Sequence, residues 1–253
     1  MRKRFFKLFA ASLAIFVLSS AVYAQSGQQA AQVKRDLDGV WNRGGGLRTL
    51  SDPPPPMTPA GQTKFNANKP SYNRPSSPRA IPPAQGNDPT GRCDPLGLVR
   101  SIFAFRPVEF VTLPNRIIQL FEWNHVWRTI WTDGRKLPTD LDLTWYGYSV
   151  GHWEGDTLVV DTIGLDDRIW LDQYGDPFTS DMKVQERWRR VNNTLELNMT
   201  ITDPATYTKP WVSDKIIWTS RPNQDLREEI CAPIDEQFFN ENLRNPAGGK
   251  VQK

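Results

Sequence analysis

From about residue 107 onwards, the chain is a succession of short apolar segments separated by turn sequences, and this pattern limits its possible folds most strongly. Polar and apolar residues alternate in segments such as 182–191 and 194–202, as they do in strands with one buried face. Asn192-Asn193 between them suits a two-residue hairpin turn. The pattern predicts ten strands: 39–42, 108–113, 116–123, 126–132, 145–153, 157–163, 182–191, 194–202, 211–219 and 226–231.

Hairpins in sequence predict an all-β fold, an antiparallel meander that closes into a barrel of eight to ten strands, because closure removes exposed sheet edges. The early Gly39-Val40-Trp41 resembles the start of a lipocalin, which implies a lipocalin-like barrel. We assign this barrel domain to residues 107–253, with the strand at 39–43 joining it. Residues 25–106 are predicted to be a polar leader and an irregular Pro-rich arm, because proline disrupts helices and central strands.

Residues 1–24 have the layout of a secretory signal peptide. Arg2, Lys3, Arg4 and Lys7 precede an apolar stretch from about Leu8 to Leu18, and small residues then lead to a cleavage site after Ala24. The apolar stretch is shorter than the roughly 20 residues of a membrane span. The sequence therefore predicts a periplasmic or secreted protein with no membrane span once the signal is removed.

Removal of the signal also changes the charge of the chain. The full sequence has 31 basic and 28 acidic residues, and taking away the four basic residues of the signal leaves 27 basic residues against the same 28 acidic ones. A nucleic-acid-binding protein needs a basic patch or stripe. We therefore expect a small-molecule ligand and no nucleic-acid partner, and the composition leaves the oligomeric state open.

Cys93 and Cys231 are the two cysteines of the chain. In an oxidising compartment this count favours one disulfide over two separate buried thiols. The disulfide would close a loop of about 138 residues between the two cysteines, and on the chain-entropy scale this would stabilise the fold by roughly 4–5 kcal/mol. Two histidines, His125 and His152, are few for a metal centre, and we predict neither a metal nor a cofactor.

Strand alternation places several charged residues on predicted inner faces. Glu186 lies among Met182, Val184 and Trp188, and Arg128 lies between Val126 and Ile130. Glu122, Asp161 and Asp214 are placed similarly. Three interpretations fit these residues. They could lie at a solvent-filled mouth of the barrel, or form a buried structural ion pair. Alternatively, they could form a site in which Arg128 binds an anion while Glu186 or Glu122 transfers a proton.

Ten tryptophans suggest aromatic walls, although core filling accounts for most tryptophans in β proteins. As ligand-binding candidates we select residues on the predicted strands of the barrel. They are Trp127, Trp131, Tyr148, His152, Asp161 and Asp214.

Four ordered motifs resemble an uncharacterised secreted bacterial family. They are TDGR within 127–138, GHWEGDTLVVDT within 146–164, ERWRR at 186–190 and YTKPW within 203–211. The resemblance covers roughly residues 39–249 and implies an exported β-rich domain. It implies no activity or catalytic residue. Where many members carry histidines, this chain has Phe178 and Lys183.

Three functions remain open from the sequence. The first is an exported envelope protein that binds a small apolar, aromatic or sugar-like ligand in its barrel. The second is a metal-independent hydrolase or lyase that acts on a small carbohydrate or aromatic substrate through Glu186, Glu122 and Arg128. The third is a structural or interaction module that uses the Pro-rich arm.

Overall fold

The structure is a computed structural model, and it describes residues 35–232 and 237–245. The predicted signal peptide at residues 1–24 lies outside the described residues, as does the leader up to residue 34. The ten strands are β1 Gly39–Asn42, β2 Val108–Leu113, β3 Arg116–Phe121, β4 Val126–Trp131, β5 Tyr148–Glu154, β6 Thr157–Ile163, β7 Lys183–Val191, β8 Thr194–Thr202, β9 Trp211–Val212 and β10 Ile216–Ser220.

The strands form a closed, mostly antiparallel barrel, as the sequence predicts. Neighbouring strands pair in chain order from β1 to β8, and β10 closes the barrel by pairing with both β8 and β1. One pair departs from the expected meander, because β4 and β5 are parallel. The connection 132–147 is long enough to carry the chain back across the barrel, which parallel strands require.

The segment predicted as one strand at 211–219 is interrupted. Both β9 and β10 pair with β8, but residues 213–215 lie outside the strands. Ser213 replaces the regular pairing here: its amide donates to the carbonyl of Met199, and its hydroxyl accepts from the amide of Met199. The predicted strand at 226–231 is wrong: this segment makes a single bridge, from Glu229 to Trp123.

Aromatic side chains fill the barrel interior. The ring of Trp188 contacts Phe110 edge-on at 5.2 Å between centroids and lies 6.2 Å from Trp218. All three are buried, together with Trp41 and the inner residues of β8. The alternation on β7 is as predicted, with Val184, Glu186 and Trp188 inside and the intervening residues exposed.

The two ends of the barrel differ. One end carries tight hairpin turns, of which the β7–β8 turn has Asn192 at a φ of 53°, as the Asn-Asn sequence predicts. The other, which we call the loop end, carries the connections 164–182 and 203–210 and receives the arm, residues 43–107. The arm contains two short helices, α1 Pro59–Ala67 and α2 Leu98–Phe103, with 3₁₀ turns at Pro83–Gln85 and Pro89–Arg92.

The arm is packed onto the barrel. The amide of Thr58 donates to the carbonyl of Thr206, and Met57 bridges to Tyr207 in the β8–β9 connection. Cys93 and Cys231 form a disulfide, which attaches the segment after β10 to the arm. A π-helical turn, Asn240–Arg244, contacts the arm beside it. Among the described residues, none of the helices is both long and apolar enough to span a bilayer.

Candidate functional site

Two of the residues predicted for chemistry, Arg128 and Glu186, meet inside the barrel. Arg128 of β4 and Glu186 of β7 form a bidentate ion pair, with Nη1 2.8 Å from Oε1 and Nη2 2.6 Å from Oε2. Both side chains are almost fully buried. A paired charge is the arrangement that burial demands, because an isolated charge in a dry interior is very costly.

Further polar side chains complete the hydrogen bonds of this pair. Gln119 accepts from Nε of Arg128 at 2.7 Å, and Trp188 donates its indole N–H to Glu186 at 2.7 Å. The hydroxyl of Ser149 lies 3.4 Å from Nη1 of Arg128 and 2.8 Å from the hydroxyl of Thr162. The network is buried throughout, and its carboxylate is already bound by a cation. This geometry is that of a structural ion pair that links β4 and β7.

Glu122, the second acid predicted for catalysis, lies apart from Arg128. The structure buries Ile117, Gln119 and Phe121 on β3, which is the opposite face from the one we expected. Glu122 follows the strand and accepts a hydrogen bond from the amide of Arg227 at 2.9 Å. The error has a simple origin, since β3 carries apolar residues on both faces and its alternation does not identify the inner one.

Most of the residues predicted to bind ligand lie on the outer surface of the barrel. Trp127 is 63% exposed. Trp131 carries the guanidinium of Arg135 over its ring at 3.6 Å, and Arg135 also donates to the hydroxyl of Tyr148 at 3.0 Å. The two remaining residues on β5 and β6 bind polar neighbours, His152 to Glu154 at 3.2 Å and Asp161 to Gln185 at 2.9 Å.

Asp214 was expected on the inner face with Val212 and Trp218, and the structure places it outside. Trp211 and Ser213 are buried, whereas Val212 and Asp214 are exposed. The interruption at 213–215 shifts the alternation between β9 and β10, so the parity read from Trp218 does not extend to Asp214.

A second buried charge cluster, which the sequence analysis missed, lies at the loop end. Arg74 of the arm donates through Nη2 to Asp172 at 2.9 Å and also to Asp176. Both acids belong to the β6–β7 connection, and all three side chains are nearly or fully buried. The rings of Tyr174 and Trp211 lie 5.2 and 5.5 Å from the guanidinium. We call Arg74, Asp172 and Asp176 the loop cluster.

The carboxylates of the loop cluster are not equivalent. Oδ1 of Asp172 accepts from the amides of Tyr174 and Asp176, at 2.8 and 3.3 Å. Burial, together with the charge of Asp172, raises the pKa of Asp176 well above its ordinary value. The same environment raises the pKa of the nearby Tyr207 hydroxyl, first through burial and then through the charges of Asp176 and Asp172. Because Asp176 is buried and the carboxylates around Arg74 outnumber it, Asp176 favours its protonated form.

A cleft of about 540 Å³ opens at the loop end, between the arm, the β3–β4 turn and the π-helical turn. This volume is within the range of small-molecule sites, roughly 300–1,000 Å³. Aromatic rings and guanidinium groups share the lining. The aromatic residues are Tyr72, Phe103, Phe105, Trp123 and Phe239, and the arginines are Arg48, Arg100, Arg106 and Arg244.

Among the described residues that line the cleft, Asp88 is the one acid, and it is held by Arg100. Two N–H groups of Arg100 bind the two oxygens of Asp88 at 2.8 and 2.6 Å. Burial acts to raise the pKa of Asp88, but the hydrogen bonds and charge of Arg100 outweigh it, and the pKa is lowered. A carboxylate with a lowered pKa is a poor proton carrier near neutral pH.

The described part of the chain contains no cluster of three or more His, Cys, Asp or Glu side chains suited to a metal ion. Comparison with known protein families, with curated proteins and with solved structures finds no match to this chain. The case for a function therefore depends on the geometry of the cleft and of the two charge clusters.

Proposed function

We propose that this chain is an exported binding protein that holds a small aromatic or apolar molecule in the cleft at the loop end. The observation that carries the proposal is the combination of a 540 Å³ cleft with five aromatic residues in its lining. Small-molecule sites are mostly apolar concave surfaces with a few polar groups that orient the ligand. Export is supported by the layout of residues 1–24 and by the disulfide, a bond typical of extracytoplasmic proteins.

The barrel interior is a poorer candidate for the binding site. Trp188, Trp218 and Phe110 pack against one another along it, and the Arg128–Glu186 pair occupies the space between β4 and β7. A ligand there would have to displace well-packed aromatic rings or separate a buried ion pair, and both changes are costly. The cleft demands neither change.

Binding is also favoured over acid–base catalysis. Glu186 and Glu122, the acids selected from the sequence, are not among the residues of the cleft, and Asp88 is bound by Arg100. The cleft thus offers aromatic contact and positive charge rather than an available proton carrier.

Calorimetry on the mature chain, residues 25–253 with the disulfide intact, tests the proposal. The panel contains neutral bicyclic aromatics, mono- and disaccharides, and medium-chain alcohols. We expect saturable binding of at least one aromatic compound, and Phe105→Ala should weaken it about tenfold through loss of one aromatic contact. Trp127→Ala is the matched control, because Trp127 is an exposed aromatic residue on the outer barrel surface.

Two results would overturn the proposal. One is the absence of saturable binding both across this neutral panel and to aromatic carboxylates of similar size. The other is binding that Phe105→Ala leaves intact while Trp127→Ala weakens it, because that result would place the ligand on the outer barrel surface.

A further inference from the structure

We propose that the ligand of the cleft carries an anionic group, a carboxylate or a comparable planar anion, and that Arg48 recognises it. This inference rests on the proposed function and names the chemical class of the ligand. It follows from the charges around the cleft, where the described residues of the lining include four arginines and one acid.

Three of the four arginines are occupied by other parts of the chain. Arg100 is held by both oxygens of Asp88, and Arg106 by both oxygens of Glu229. Arg244 donates through Nε to the carbonyl of Pro83 at 2.9 Å and through Nη1 to Asn240 at 3.0 Å. Their N–H groups are engaged in holding the walls of the cleft in place.

Arg48 is different. Within residues 35–232 and 237–245, no carboxylate lies within ion-pair distance of it. Its guanidinium lies over the ring of Phe105, with 4.2 Å from Cζ to the ring centroid. A guanidinium that stacks on a ring keeps its N–H groups around its edge, and that edge matches the two oxygens of a carboxylate.

A second cation behind Phe105 strengthens the case. Arg43 is buried and donates to the carbonyl oxygens of Phe103 and Leu47, and it has no carboxylate partner in the described part of the chain. Its guanidinium lies 5.4 Å from the centroid of the same Phe105 ring. Burial, followed by the charge of Arg48, lowers the pKa of Arg43 to about 10. Two cations therefore lie at one ring, with no carboxylate paired to either among the described residues, and a bound anion would relieve their repulsion.

The arrangement fits a flat ligand with a charged end. Phe105 and Trp123 offer aromatic surface within the cleft, and Arg48 lies on the Phe105 ring. An aromatic carboxylate would place its ring against the aromatic surface and its two oxygens against the guanidinium.

A matched pair of probes tests this inference. 2-Naphthoate and 2-naphthamide have nearly the same shape and differ in charge. We expect the mature chain to bind 2-naphthoate at least tenfold more tightly than 2-naphthamide in calorimetry at low salt. Arg48→Gln should reduce this preference to less than threefold, whereas Arg48→Lys should keep part of it because the charge remains. Arg187→Gln is the control, since Arg187 is an exposed arginine on the outer barrel surface.

Each alternative outcome has a distinct meaning. If the two probes bind equally well to the unmodified chain, the anionic class is wrong, and binding in the cleft still stands. If the preference survives in Arg48→Gln, the assignment to Arg48 is wrong. If neither probe binds, and the neutral panel also fails, both the anionic ligand and the proposed function fall.

Discussion

Two arginines, Arg128 and Arg74, are buried in ion pairs in different parts of the molecule, and their partners differ in number. Arg128, inside the barrel, has one carboxylate, Glu186, together with the side-chain oxygen of Gln119. Arg74, at the loop end, has three carboxylates within ion-pair distance: Asp172 and Asp176 at Nη2, and Asp52 with its Oδ1 3.9 Å from Nε. In the first case the charges balance. In the second case the carboxylates outnumber the cation, and burial, together with the charge of Asp172, raises the pKa of Asp176.

The two arrangements also connect different parts of the chain. The Arg128–Glu186 pair joins two strands whose positions hydrogen bonding along the barrel already restricts. The loop cluster joins the arm to the β6–β7 connection, neither of which is a strand at these positions. Balanced charge thus occurs within regular structure, and titratable charge occurs where two irregular segments meet. This difference predicts separate responses to mutation and to pH.

The largest effect is expected for Arg128→Met. The substitution leaves Glu186 buried without its cation, and breaking a buried pair in this way costs about 3–5 kcal/mol of unfolding free energy. Urea unfolding followed by fluorescence measures the loss. The double variant Arg128→Met/Glu186→Gln should recover at least half of it, because no charge then remains unpaired. A double variant no more stable than the single one would contradict the interpretation of a structural ion pair.

A smaller loss, roughly 2–3 kcal/mol, is expected for Arg74→Met. The loss is limited because, without Arg74, either aspartate of the loop cluster can take up a proton instead of remaining charged and unpaired. Limited proteolysis should then show faster cleavage within the arm, while the barrel strands stay protected. Arg92→Met, a change at an exposed arginine of the same arm, is the control. Equal cleavage rates in the two variants would show that Arg74 does not fasten the arm.

The contrast between the barrel interior and the loop end also explains which buried charged residues the sequence alone could predict. Glu186 was placed inside because β7 alternates cleanly, with charged residues on one face and apolar residues on the other. Arg128 followed from its apolar neighbours on β4, and Gln119 could have been found with it, since the register of β3 and β4 sets it directly opposite Arg128. Periodicity identifies an inner face only where the two faces of a strand differ, and β3 lacks that difference.

The loop cluster offered no comparable signal. Arg74 lies in a Pro-rich segment and its two acids in an irregular connection about 100 residues further along the chain. No repeat pattern links such segments, so their contact depends on how the arm packs onto the barrel. The cleft was missed for the same reason, because its walls come from the arm, the β3–β4 turn and the segment after β10. The disulfide was predicted from the number of cysteines and the expected compartment.

Within the loop cluster, we expect Asp172→Asn to cost more than Asp176→Asn. Asp172 accepts two backbone hydrogen bonds as well as one from Arg74, so replacing its carboxylate weakens charge-assisted bonds and costs about 1–3 kcal/mol. Asp176→Asn replaces the acid whose charged form burial disfavours, and it should change the unfolding free energy by less than about 1 kcal/mol at neutral pH. Urea unfolding of both variants at pH 7 decides the order, and the reverse order would contradict the assigned roles.

The most gradual effect is the dependence of stability on pH. The folded-state pKa of Asp176 is raised above its unfolded value of about 4, so its contribution to stability is fully present below pH 4 and is lost as pH rises through the folded pKa. The unfolding free energy of the unmodified chain should therefore fall relative to that of Asp176→Asn as pH increases from 4 to 8. One proton limits the slope of this difference to about 1.4 kcal/mol per pH unit. Asp161→Asn, on the outer barrel surface, should run parallel to the unmodified chain, and a parallel curve for Asp176→Asn as well would exclude a retained proton in the loop cluster.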